Sequence, residues 1–120
     1  MSLPFRTAAL TAALSLAALA GPASAHHGWS SYDDSKPVEV TGKVVESRYE
    51  NPHATIRVEA GGKRWFAILA PISRMQARGA TQEKVAVGRE VTLVGYPSKE
   101  DANEMRVERI KLDGQTVELR

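Results

Sequence analysis

From His53 to Ala60 the chain alternates without a break. Ala54, Ile56, Val58 and Ala60 fall on one side, and His53, Thr55, Arg57 and Glu59 on the other. A period of two belongs to a strand with one buried face. Gly61-Gly62 follows at once, a pair suited to a tight hairpin turn. The next run, Lys63 to Ala70, carries Trp65, Phe66, Ile68 and Leu69 and reads as the returning strand. The chain is thereby committed to an antiparallel hairpin.

Similar patterns flank this hairpin. Pro37 precedes a run in which Val38, Val40 and Val44 alternate with polar residues or Gly42. The phase flips at Val44-Val45 and Tyr49 follows in the new phase, as a β-bulge would produce. Glu50-Asn51-Pro52 is a turn. Pro71 suits the first turn of a helix and Gly79 its C-terminal end, with Ile72, Met75 and Gln76 on one face and Arg74 and Arg78 on another. Gly88 opens a fourth strand, Glu90 to Tyr96. Pro97 to Asn103 is a loop, Met105 to Leu112 a fifth strand, and Asp113-Gly114 a turn into a short last strand, Val117 to Leu119.

This order predicts a mainly β fold. It is a small five-stranded OB-like barrel with one short helix between strands 3 and 4. The alternative is a β-sandwich, which does not need a helix at that point. The predicted core is Ile56, Val58, Phe66, Ile68, Val91 and Leu93. Trp65 and Phe66 are adjacent, so only one of them can face inward.

The first 25 residues read differently. Arg6 is followed by an uncharged run from Ala8 to Ala20, broken only by Thr11 and Ser15. Gly21-Pro22 ends the run and Ala23-Ser24-Ala25 is a small-x-small cleavage site, so residues 1–25 are expected to be a secretory signal peptide. The run is too short to span a bilayer, which takes about 20 residues. Cleavage leaves 95 of the 120 residues: a lead-in at 26–37 and a barrel domain at 38–120. The expected location is the periplasm, with no membrane span in the mature protein.

Composition then excludes several functions. There is no cysteine, hence no disulfide, thiolate metal site or cysteine nucleophile. The chain carries a net charge of +2, and Arg6 accounts for one of these. So small a balance, together with export, argues against a nucleic-acid partner. Arg57, Lys63-Arg64 and Arg48 could form a basic patch, but a solvated face explains them as well. Asp33-Asp34 are adjacent and do not converge as a catalytic pair. No nucleophile triad, phosphate loop or zinc-protease motif is present. The sequence is that of a binding protein rather than an enzyme.

The chemistry-bearing residues are the three histidines, His26, His27 and His53. Cleavage after Ala25 makes His26 the N-terminal residue. Its amine and ring nitrogen can chelate one ion, and a second imidazole completes the T-shaped set of a histidine brace. Nitrogen ligands in near-planar geometry suit copper. His53 follows Asn51-Pro52 in the loop between strands 1 and 2, which borders the usual ligand face of OB barrels. The lead-in of 12 residues could reach about 40 Å, so folding back is feasible. His27 could replace His53 as the second imidazole. Trp29, Tyr32, Asn51 and Arg57 are candidates for the ligand face. Met75 and Met105, with Trp65, also admit a Cu(I) thioether reading, although Met75 is spaced as a helix core residue. The competing reading is a metal-free module that binds an envelope protein or a glycan.

The series Ala25-His26-His27-x-Trp29-x-x-Tyr32-Asp33, then Pro37-Val38, Gly42-x-Val44, Asn51-Pro52-His53, Gly88, Val91, Gly95, Pro97 and Asp113-Gly114, resembles a known family. It is a group of small exported proteobacterial proteins catalogued as a domain of unknown function. The resemblance implies an exported β-barrel and brings no established activity. Ala54 and Ala80 stand where members of that family often carry aromatics.

Overall fold

The computed structural model describes residues 28–120. Six strands and one α-helix follow in the order β1 (Val38–Arg48), β2 (Thr55–Ala60), β3 (Lys63–Ile68), α1 (Ile72–Ala77), β4 (Glu90–Pro97), β5 (Glu104–Leu112) and β6 (Gln115–Glu118). The strand order is β3-β2-β1-β4-β5-β6, and a parallel pairing of β3 with β5 closes the first five into a barrel. The fold is therefore mainly β, a closed five-stranded barrel with a short helix between β3 and β4. The sixth strand is an addition that pairs with β5 through Arg109 to Leu112.

Closure requires β1 to serve two neighbours. Val38 to Lys43 pair with β4, and Lys43 to Arg48 pair with β2. The register to β2 slips between Val44 and Glu46, at the phase flip in the sequence. The extra residue, Val45, bends the strand from one neighbour to the other. The Gly61-Gly62 turn has φ of 57° and 80°, values that glycine adopts at little cost. A close approach of two strands uses Gly95, where β4 slips against β5. A Cβ there would overlap the carbonyl of Arg106.

Alternating residues fill the barrel. Val40, Val44, Ile56, Val58, Val91, Leu93, Val107 and Ile110 are among the buried residues of one cluster. Each such side chain contributes roughly 1.5–3 kcal/mol of burial. Helix α1 starts after Pro71 and sends Met75, fully buried, into the same cluster. Gly79, with φ of 89°, ends the helix, and the Ala80 amide donates to the Met75 carbonyl. Met105 is equally buried, so both methionines are core residues.

One core expectation needs correction. Phe66 points outward, half-buried, with the Arg57 guanidinium 4.6 Å from its ring centroid. The inward parity on β3 belongs to Trp65, Ala67 and Leu69. Ile68 is buried as expected but shares the outer side with Phe66 and lies outside the main cluster. Something therefore covers the outside of the barrel there.

Candidate functional site

The cover is the segment before β1. A single 3-10 turn, Trp29–Ser31, leads to Tyr32, which forms an isolated antiparallel bridge with Ser98. The Asp33 amide donates to the Pro97 carbonyl, and the Lys99 amide to that of Ser31. Tyr32 is 2% exposed, and its hydroxyl donates to Glu104 Oε2 at 2.5 Å. Burial, then that hydrogen bond and the carboxylate's charge, hold the phenol well above its ordinary pKa. Asp33 accepts bonds from the Ser35 amide and hydroxyl, which lower its pKa and make the turn self-contained.

At the centre of the covered face stands Arg106. Alternation on β5 sends it outward between Met105 and Val107, yet it is only 4% exposed. Its Cζ lies 4.5 Å from the Trp29 ring centroid. The Arg120 Cζ lies 4.4 Å from the same ring, and Tyr96 meets it edge-on at 6.2 Å. Each guanidinium–indole contact is worth about 0.5–2 kcal/mol, more where water is excluded. Burial lowers the Arg106 pKa, yet a guanidinium stays charged at any physiological pH.

His53 meets the same residue. Its Nε2 is 3.4 Å from Arg106 Nη2. A guanidinium only donates, so Nε2 is the acceptor and carries a lone pair. The loop that bears His53 is pinned on its far side, where the Ala54 amide donates to Ala70 and the Leu69 amide to Ala54. Beside His53 a cavity of about 270 Å³ is lined by Arg48, Asn51, Pro52, Thr55 and Phe66 among others. A neighbouring cavity of about 190 Å³ shares Arg48, Thr55 and Phe66 with it and adds Arg57 and Glu46.

The sequence candidates therefore divide. Trp29, Tyr32 and His53 gather around Arg106. Asn51 and Arg57 line the two cavities beside them. His26 and His27 lie outside the described residues. Among the described residues no three His, Cys, Asp or Glu side chains are grouped to hold a metal ion. The basic patch is matched by acids: Arg57 pairs with Glu46 at 2.8 Å, Arg64 with Glu59 at 3.3 Å and Arg48 with Glu50 at 3.6 Å. Ala54 and Ala80 are both buried in the barrel core rather than at the His53 cavity.

The sequence reading missed Arg106, Arg120 and Glu104. Arg106 looks like a solvent-facing strand residue, since apolar neighbours flank it. Its burial comes from Trp29 and Tyr32, and Tyr32 is 72 positions from its partner Glu104.

A family model described as "Family of unknown function (DUF6152)" matches residues 12–106. No curated protein matches. Among solved structures, this chain is similar to the one titled "Crystal structure of the ZRD-deleted mutant of TiaS in complex with agmatine". The TM-score is 0.50 and the identity 18%, over 73% of this chain and 25% of that one. This chain thus spans about a quarter of that protein, and the likeness shows the fold alone. Among the described residues no helix is long and apolar enough to cross a membrane.

Proposed function

The chain belongs to this family of unknown function, and from that premise we propose that it is an exported copper-binding barrel protein, a carrier or buffer in the periplasm. Its ligands are the amine and ring of His26, exposed by cleavage after Ala25, together with the ring of His53. His27 is the alternative second imidazole.

One observation carries this reading. Trp29 stacks on Arg106, and Arg106 bonds His53. The start of the described chain is thus tied to the loop that bears His53. Gly28 is next to Trp29, and each residue before it adds at most about 3.6 Å of reach. His26 is two positions before Gly28, which allows a reach of at most about 7 Å from it. His53 Nε2 is unprotonated, as a metal ligand must be, and an ion bound there would displace the hydrogen bond from Arg106.

A second reading draws on a different feature. The positive charge of Arg106 beside His53 opposes a cation, and Phe66 with Arg48 and Arg57 offers a surface for a protein or glycan. On that reading the chain is a metal-free interaction module.

The two separate in one experiment. Exported protein is purified, its start at His26 checked by intact mass, and copper(II) added before desalting. The copper reading expects one equivalent retained. Extension of the N-terminus by one residue, or His53→Ala, should release it, and His27→Ala should matter less. Binding should fall as pH drops through the imidazole pKa near about 6.5, where protons displace the ion. A wild-type chain that keeps no copper leaves the interaction module as the reading.

A further inference from the structure

Arg74 on α1 and Arg78 at its C-terminal end lie one turn apart and reach the same stretch of chain. Arg74 Nη1 donates to the Leu119 carbonyl at 3.0 Å. Arg78 Nη1 donates to the carbonyls of Glu118 at 2.9 Å and Arg120 at 3.2 Å. Arg120 stacks on Trp29 and spends its own Nη1 on Glu108 at 3.4 Å. Each of these three guanidiniums is anchored through Nη1. Each leaves open the edge formed by Nε and Nη2, the fork that grips two oxygens of an oxyanion. An anchored fork loses little further freedom when it binds.

The charges here do not cancel, unlike those of Arg48, Arg57 and Arg64, each of which has its own glutamate. With Arg106 and Arg109 the group holds five guanidiniums, and the carboxylates that pair with it are Glu108 and Glu118. Even with a carboxylate on Arg120 counted as a third, five guanidiniums against three carboxylates leave an excess of two. Burial is the largest cause of the lowered Arg106 pKa, and the charges of Arg74 and Arg120 push it the same way. Like charges gathered so closely repel, and a bound anion relieves the repulsion.

We propose that Arg74, Arg78 and Arg120 bind a terminal phosphoryl group, carried by a soluble phosphate monoester or by a lipid headgroup. The inference is independent of the copper reading. A carboxylate brings two oxygens and one charge, and a phosphodiester brings no more. A terminal phosphoryl group brings three oxygens and a charge of about −1.5 to −2 near neutral pH. Three oxygens suit three forks, and that charge suits the excess of positive charge around them. Arg78 and Arg120 are exposed and Arg74 is half-buried, so the site is open to a group presented at a surface.

The test uses the full mature chain, freed of metal with a chelator so that copper plays no part. Salt is held at about 0.15 M, which screens attraction beyond about 8 Å. Inorganic phosphate is titrated by calorimetry. Flotation with phosphatidylcholine vesicles, with and without phosphatidic acid, tells a lipid source from a soluble one. Saturable binding of one phosphate per chain is expected. Arg78→Gln should weaken it on the order of tenfold, the worth of hydrogen bonds to a charged group. Arg78→Lys keeps the charge without the fork and should recover only part. Arg120→Gln, which leaves α1 untouched, should weaken binding by a similar factor. Arg64→Gln removes an exposed arginine that pairs with Glu59, and it should change nothing. Phosphate binding with flotation on phosphatidic acid assigns a lipid headgroup, and phosphate binding without flotation assigns a soluble monoester. Failure to bind either probe overturns the inference, and so does an equal loss in Arg64→Gln and Arg78→Gln. Tighter binding of a polyglutamate peptide than of phosphate also overturns it and makes the cluster a dock for an acidic protein. All of these outcomes leave the copper reading where it stands.

Discussion

The inside and the outside of this barrel are built by different rules. Inside, apolar side chains arrive at every second residue and need no particular partner. Val58, Leu93 and Ile110 are fully buried because the pleat turns them inward. Outside, around Arg106, burial depends on named partners: one indole, one phenol, one imidazole and one extra arginine. The interior is of the kind that accepts apolar residues of similar size and shape. The outer cluster tolerates only residues that stack or bond with a guanidinium. A site that must hold donors at fixed distances is better served by the second kind of packing.

The sharpest way to break this contrast is to hollow the interior. Leu93→Ala removes a fully buried side chain from the middle of β4. It should cost about 2–5 kcal/mol, a large part of the 5–15 kcal/mol that a domain has. Urea unfolding followed by circular dichroism would measure it. The loss should be global, with the outer cluster melting at the same urea concentration as the barrel. If the Trp29 fluorescence transition, read in a Trp65→Phe background, separated from the backbone transition, the two regions would be independent units.

Trp29→Ala attacks the other side and should cost less, about 1–3 kcal/mol. It removes two cation–π contacts and part of the cover over Arg106. The strands should persist in the far-ultraviolet spectrum. Amide exchange at Tyr32, Asp33 and Lys99, which join the covering segment to the Pro97–Lys99 turn, should rise first. Equal exchange increases throughout the barrel would mean that cover and barrel open as one unit.

The same contrast explains what could be read in the sequence. Period-two runs, the flip at Val44-Val45 and the glycine turns carry their own local reasons, and the strands, bulge and helix were legible from them. Phe66 was misjudged because either of two adjacent aromatics can take the inward phase. The decision lies with Ala67 and Leu69, whose parity makes Trp65 the inward one. Arg106 was illegible for a deeper reason. An arginine on an alternating strand reads as solvent-facing, and only the folding back of Trp29 and Tyr32 makes it buried. His53 was legible as a candidate from its residue type and its loop. Its partner was not, because no local pattern announces a contact across 53 positions.

Tyr32→Phe should have a moderate effect, about 1–3 kcal/mol near neutral pH, since it strips Glu104 of a donor in a half-buried place. Its pH signature is the stronger test. Burial and Glu104 raise the folded pKa of the phenol above its unfolded value of about 10. The folded protein then keeps a proton that the unfolded chain loses. Stability should be intact below pH of about 10 and fall as pH rises beyond it. Tyr49 and Tyr96 shift in the same direction, so the slope should shrink in Tyr32→Phe rather than vanish. Thermal unfolding at a series of alkaline pH values would show it, and an unchanged slope would mean that the phenol is not held by Glu104.

The smallest effect is expected at Arg57, and it tests where the outer cluster ends. Arg57 lies beside Phe66 and pairs with Glu46 at 2.8 Å, but it is 41% exposed in its side chain and its partner 60%. Exposed pairs of this kind contribute about 0–1 kcal/mol and lose strength in salt. Arg57→Ala should therefore lower the free energy of urea unfolding by under about 1 kcal/mol, and by less still at about 1 M salt. Arg106 differs in just these respects, with its guanidinium buried and its partners an indole and an imidazole. The stability difference made by Arg57→Ala should shrink in salt, because salt screens the pair in the wild type, whereas the loss at Arg106 should persist at any ionic strength. If Arg57→Ala cost as much as Trp29→Ala, or its cost ignored salt, the ordered cluster would extend across Phe66. The two cavities that share Phe66 would then form one continuous site rather than a site and its solvated margin.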